Sequence, residues 1–294
     1  MKPNSASSTS LLIARGLLLV DATPELRPLL VDDSAALTRR LLGAAGPSPW
    51  FDRALKHLFL RRALFALERF LLPGVLLYWL TRKRMLDVLA HEALEAGCRQ
   101  IVVLGAGLDT LAWRFQSACV CIELDHPSSQ ALKREAFANG PTLVEADLAQ
   151  TTVAEALRAQ PCFDANQPTF FVAEGLLMYL PPARGALLFN EVADVAAPGS
   201  RFAFSFMEAR PGRRIGFHNS RHIVDAWLRW RGEPFLWALA QTDLAPFAAQ
   251  HGWELTALFT SEEMRRRFLT PHGLANAPLA MGECVAQFVR READ

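Results

Sequence analysis

The sequence predicts an α/β fold: a mostly parallel seven-stranded sheet flanked by helices, with a helical N-terminal cap and a helical insert after strand five. Two observations carry this reading. From Gly97 onward, short apolar runs alternate with stretches of helical length, the pattern of βαβ units. The first of those runs ends in "LGAG", a glycine turn where a strand hands over to a helix.

Residues 1–96 read as the helical cap. Asp32-Asp33-Ser34 precedes "AALTRRLL" as an N-cap signal, and Asp52–Phe70 and Thr81–Ala96 keep apolar residues at three- and four-residue spacing. The core, 97–294, takes its strands from Gln100–Leu104, Val120–Glu123, Thr142–Glu145, Thr169–Ala173 and Arg201–Phe206. Two closing strands come from the segments starting at His251 and Glu283. Between them, Thr110–Phe115, Ser128–Asn139, Thr152–Gln160 and Arg184–Ala197 read as helices, and an insert occupies about 210–250.

Composition narrows the function. A net charge of +1, with 31 basic residues among 30 acidic ones, gives no electrostatic case for nucleic acid. Five cysteines, with no CxxC pair and no histidine at ligand spacing, argue against a metal site and suit a reducing cytoplasm. "LLIARGLLLV" from Leu11 is too short to span a bilayer, and "FLLPGVLLYWL" from Phe70 is about half the required length and broken by Pro73-Gly74. The expectation is therefore no membrane partner; the Phe70 segment reads as a buried helix end or a wall of a hydrophobic pocket.

In an open parallel sheet, ligands bind beyond the carboxyl ends of the strands, at the switch point beside strand one. Gly105 and Gly107 stand there, with Ala106 between them. A phosphate loop needs GxxxxGK[ST], which fails here; a dinucleotide turn would want a third glycine where Thr110 stands. Glu123 and Asp125 end strand two, placed for ribose hydroxyls. Asp147-Leu148 follow strand three, placed to frame an adenine, and Glu174-Gly175 follow strand four.

Together these segments resemble the leucine carboxyl methyltransferase family, class I S-adenosylmethionine-dependent enzymes that include bacterial polyketide O-methyltransferases. "VVLGAGLDTLAWR" is similar to the family's glycine motif, "IELDHPSSQALK" to its strand-two motif, "EADL" to the third and "AEGLLMYL" to the fourth; upstream, "TRKRMLD" and "VDDSA" match two further signatures. The resemblance implies a Rossmann-like methyltransferase fold and S-adenosylmethionine as cofactor, with S-adenosylhomocysteine as product. It implies that Arg82 pairs with the methionine carboxylate, that Gly105, Ala106 and Gly107 approach the methionine and ribose, and that Asp125, with Glu123 as fallback, takes the ribose hydroxyls. Asp147 and Leu148 then frame the adenine and Glu174 lies near the sulfonium. Ser34 departs from the usual proline and Leu111 from a frequent arginine.

The acceptor is expected to be a small, partly apolar molecule, acidic or polyketide-like, methylated on a carboxylate or a hydroxyl. A carboxylate is ionised at neutral pH and needs no base; a hydroxyl benefits from one. Candidate catalytic residues are Glu174, Tyr179, His218 and His222. "SFMEARPGRRIGFHNSRH" from Ser205 offers arginines for an acid, and Trp227, Trp230, Phe235 and Trp237 offer apolar walls. Two alternatives compete: an NAD-dependent oxidoreductase on a similar sheet, and a binding module without catalysis. Monomer or dimer is left open.

Overall fold

A computed structural model describes residues 7–291. Its strands are β1 Gln100–Leu104, β2 Val120–Asp125, β3 Thr142–Glu145, β4 Thr169–Ala173, β5 Arg201–Glu208, β6 Ala238–Leu239, β7 Trp253–Phe259 and β8 Glu283–Arg290. They form one sheet in the order β3-β2-β1-β4-β5-β8-β7, with the two-residue β6 attached to β5. Strands β1 to β6 pair in parallel, whereas β8 runs antiparallel to both β5 and β7. The chain reverses its direction of travel across the sheet at β1/β4, so the crevice for a ligand opens at the carboxyl ends of those strands.

Burial on both faces explains the continuous apolar strands. Ile101 and Val103 of β1 join one core with Phe170 and Val172 of β4, while Val102 and Leu104 join the opposite core with Phe171 and Ala173. Helices α1 Ser8–Asp21 and α5 Val75–Glu95 cover the first face. The cap and the sheet therefore share one core. Helices α2 Ser34–Ala44, α3 Pro49–Lys56 and α4 Leu58–Leu71 complete the N-terminal part. After β1 come α6 Leu111–Phe115, α7 Pro127–Ala136, α8 Val153–Arg158, α9 Pro182–Ala193, α10 His222–Arg231, α11 Leu244–Gln250 and α12 Ser261–Met264.

Three local expectations change. The stretch Asp52–Phe70 is two helices, because His57 takes an extended conformation between α3 and α4 (φ −108°, ψ 118°). Helix α5 starts six residues earlier than Thr81, directly after Gly74. Gly74 has φ +78°, and a Cβ there would lie 2.2 Å from the Pro278 carbonyl oxygen, so only glycine makes this turn. The insert is also shorter than about 210–250: α11 contributes Leu244 and Ala248 to the sheet core, which leaves α10 and its loops as the inserted part.

The Gly74 turn sets α4 at 87° to α5. Helix α5 is largely buried, but none of α4 is. Among the described residues no single helix is long and apolar enough to cross a membrane, although α4 and α5 reach that length and composition as a bent pair.

Candidate functional site

The glycine turn follows from β1 meeting β2. The Gly105 amide donates to the Leu124 carbonyl at 2.8 Å, and the Gly107 amide donates to Asp125 Oδ2 at 2.5 Å. Asp125 Oδ1 accepts from the His126 amide at 2.6 Å, so one carboxylate ties together the turns after both strands. Gly105 and Gly107 hold left-handed φ values of +63° and +49°. A Cβ on Gly105 would also lie 2.7 Å from Leu176 Cδ1, so packing against the β4 turn favours glycine as well.

Below the turn lies a buried chain of charges that the sequence reading only half contained. Arg82 on α5 donates from Nε to Glu174 Oε1 at 2.9 Å, with Nη2 in ion-pair contact at 2.8 Å, and from Nη1 to Glu283 Oε1 at 2.5 Å. Lys83 bridges Glu174 Oε2 at 3.0 Å and Asp109. Asp109 Oδ1 in turn accepts from the Leu111 amide at 2.6 Å and starts α6. Burial alone would raise the Asp109 carboxyl, but Lys83 and Arg114 beside it hold it well below the usual carboxylate range. Burial likewise opposes the Arg82 and Lys83 charges, and the adjoining carboxylates more than restore them. Three carboxylates meet two cations here, with Arg114 close to Asp109 as a third.

Arg82, expected to fork onto a cofactor carboxylate, grips two carboxylates of the protein itself. Lys83 and Asp109 were legible as members of their motifs but not as partners. Glu283 lies 201 residues from Arg82 and carries no local signal.

A cavity of about 1220 Å³ connects this cluster to the surface. Arg82, Gly105, Ala106, Gly107, Asp125 and Glu174 line it, as do Asp147, Leu148 and Tyr179. Asp147 accepts from the Ala149 amide at 3.0 Å and from Gln150 Nε2 at 2.8 Å, which fixes its carboxylate at the end of β3. Glu123 is absent from the cavity wall. It is fully buried against Lys133 Nζ at 2.5 Å, and burial pushes its carboxyl up to about 7 despite that partner. The ribose fallback is withdrawn on that ground.

His218 and His222 also lie off the cavity. His218 packs beside Glu208, 3.7 Å from its Oε2, where burial and Arg210 lower its pKa. His222 is exposed at the start of α10. Arg214 is paired with Asp225 and Arg210 with Glu208, so the arginine loop after β5 closes on itself. Neither histidine is a base for this cleft. Tyr179 reaches it, but burial holds its phenol well above its ordinary pKa.

The far half of the cavity is apolar. Leu12 and Ile13 of α1, Trp50 and Phe51 of α3, Leu67 of α4 and Trp79 of α5 line it. Trp227 and Phe235 join them, as expected, but Trp230 points to solvent and Trp237 packs in the sheet core against Phe189. The Phe70 segment supplies Leu71, Leu72, Val75 and Leu76 to the wall, in line with its reading as a pocket side. Glu233 draws α1 over the cleft by accepting from the Ser8 amide at 2.8 Å and the Thr9 amide at 3.1 Å.

Comparison with known proteins identifies the family. Residues 16–193 match the family model described as leucine carboxyl methyltransferase. A Mycolicibacterium paratuberculosis protein is 35% identical over 262 residues, covering 81% of this chain and 80% of that protein. A Mycolicibacterium smegmatis protein is 32% identical over 201 residues, covering 62% of this chain and 64% of that one. Both carry names that assign them to the S-adenosyl-L-methionine-dependent methyltransferases. A solved structure from Thermobifida fusca, described as a methyltransferase, superposes with a TM-score of 0.57 at 15% identity, over 98% of this chain and 96% of that one; this likeness concerns the fold alone. The oxidoreductase reading falls with these matches. The chain belongs to the leucine carboxyl methyltransferase family and is a methyltransferase that uses S-adenosylmethionine.

Proposed function

We propose that the chain methylates a carboxylate oxygen of a small, largely apolar acid. The observation that carries this reading is the cavity itself: it joins the glycine turn to an apolar chamber, and the titratable side chains on its wall are engaged by the protein, His126 Nδ1 with Ser128, Glu233 with the Ser8 and Thr9 amides and Glu68 with the backbone at Leu76. His218 and His222 are outside it, Tyr179 holds its proton, and Asp109 is committed to Lys83. An acceptor that arrives already ionised needs no base.

The residues present suit the cofactor. Backbone at Gly105 and Gly107 would approach the ribose, Asp125 would take its hydroxyls, and Asp147 and Leu148 would frame the adenine. Glu174 would lie towards the sulfonium, and Arg82 and Lys83 hold its carboxylate in place. The sulfonium supplies a methyl group already activated for displacement. What the protein adds is alignment and exclusion of water, worth roughly 7–11 kcal/mol of barrier when the geometry is right. As the new ester bond forms, the acceptor loses its charge and no proton has to leave. Arg15, on the cavity wall beside the Phe51 ring, is the cation that the acceptor carboxylate would meet.

The test is transfer of labelled methyl from S-adenosylmethionine to matched acids and alcohols with the same apolar body. Base-labile methyl esters from the acids, with an acceptor KM raised in Arg15→Ala, are the expected result. Ethers formed from the alcohols at comparable rate would overturn it.

A further inference from the structure

Helix α4 carries an exposed apolar stripe. Phe59, Ala63, Ala66 and Phe70 follow at i, i+4, i+7 and i+11 and are all exposed, Phe59 at 80%. Arg62 and Arg69, seven residues apart, run along one side of that stripe. Helix α10 continues the same border: Ile223 and Trp227 line the cavity, and Trp230, the next residue on their face, is 76% exposed. Cations stand directly beside these rings. The Arg221 guanidinium lies 3.9 Å from the Phe70 ring centre and Arg231 lies 5.5 Å from that of Trp230.

Charge distribution points the same way. Residues 49–71 and 221–231 hold eight arginines and lysines against three acids, in a chain whose net charge is +1. The rest of the chain is therefore net negative, and the positive surplus lies on the helices whose apolar residues Trp50, Leu67 and Trp227 line the chamber. An amphipathic helix with aromatic residues on one side and arginines along its edge is built to lie in the headgroup region of a bilayer. The 87° turn at Gly74 sets it crosswise to the buried α5.

We propose that the α3–α4–α10 rim docks on an anionic lipid surface, with Phe59, Phe70 and Trp230 in the interface and the cavity mouth facing it. A second copy of the chain is a poorer occupant, because a two-fold contact would set this arginine-rich patch against itself. The sequence expectation of no membrane partner weighed spanning segments and did not weigh a surface helix. The proposal goes beyond the acceptor reading and does not depend on turnover, so each can fail separately.

The experiment is sedimentation of the full chain with vesicles of phosphatidylcholine alone and of phosphatidylcholine with phosphatidylglycerol, at low and high salt. Binding should require phosphatidylglycerol and weaken with salt. Each basic residue near such a surface contributes about fivefold in affinity, so Arg62→Ala with Arg69→Ala should weaken binding about 25-fold. Phe59→Ser with Phe70→Ser should abolish it while the thermal midpoint stays within about 2 °C of the parent, as expected for exposed positions. Equal binding to both vesicle types, no binding to either, or binding indifferent to both double variants would overturn the proposal. So would a concentration-dependent dimer that the same substitutions dissolve, which would make a second copy the occupant.

Discussion

The two halves of the cavity are built by opposite means. The half under the glycine turn is made of backbone in left-handed conformations and of charges that neutralise one another in low dielectric. The half under α4 and α10 is made of apolar side chains, several of them exposed, on a helix that buries none of its residues. The first kind of wall is rigid and intolerant of change; the second is replaceable. A cofactor is constant and an acceptor varies, and the materials match that division.

If the contrast holds, substitutions in the first half should damage stability and those in the second should damage only acceptor use. The largest effect is expected at Arg82. Arg82→Met leaves Glu283 buried without its cation and Glu174 with Lys83 alone, at a cost of about 3–5 kcal/mol. At roughly 2–4 °C per kcal/mol, the midpoint in a thermal melt should fall by about 6–20 °C. A melt unchanged from the parent would show that the charge chain does not hold the site.

Asp109→Asn comes next and has a pH signature. The folded-state pKa of Asp109 lies below its unfolded value, so the stability it confers is present above about pH 4 and is lost as pH falls towards the folded pKa. The gap in stability between parent and variant should be constant from pH 7 to about 4 and narrow on further acidification. A gap that widened in acid would contradict the pairing with Lys83.

Gly105→Ala is expected to cost about 1–3 kcal/mol, since alanine there is strained at φ +63° and meets Leu176. It should also weaken adenosylhomocysteine binding by calorimetry. In the other half, Leu67→Ala and Trp50→Ala should shift stability by less than about 0.5 kcal/mol, as their side chains are more than half exposed, yet raise the acceptor KM. The smallest effect is expected at His218 and His222, where alanine should leave kcat within about twofold. A large loss there would restore a base to the mechanism.

The same division governs what the sequence could reveal. Strands β1, β3, β4 and β8 appear where alternation of short apolar runs placed them, and Gly105, Asp125, Asp147 and Glu174 converge because each ends a strand of one parallel sheet. Position along the chain encodes that convergence. Pairing does not follow from it. Glu123 and Asp125 share a motif, but Lys133, one helix later, draws Glu123 into the core. Arg82 stood in a recognisable segment, yet its second partner, Glu283, comes from a strand that pairs antiparallel and inserts beside β5. The acceptor half was the least legible, because α3, α4 and α10 meet through a turn at Gly74 and an extended His57 that no periodicity announces. Trp227 and Trp230 read alike in sequence, and one lines the chamber while the other faces solvent.

The most direct measurement is thermal unfolding with S-adenosylhomocysteine and with NAD in parallel, on the parent, Asp125→Ala and Trp50→Ala. A ligand at about 100 times its dissociation constant adds roughly 2.7 kcal/mol, or about 5–10 °C for a chain of this size. The account predicts that rise for adenosylhomocysteine alone, retained in Trp50→Ala and lost in Asp125→Ala. A rise with NAD, or an undiminished adenosylhomocysteine shift in Asp125→Ala, would contradict it.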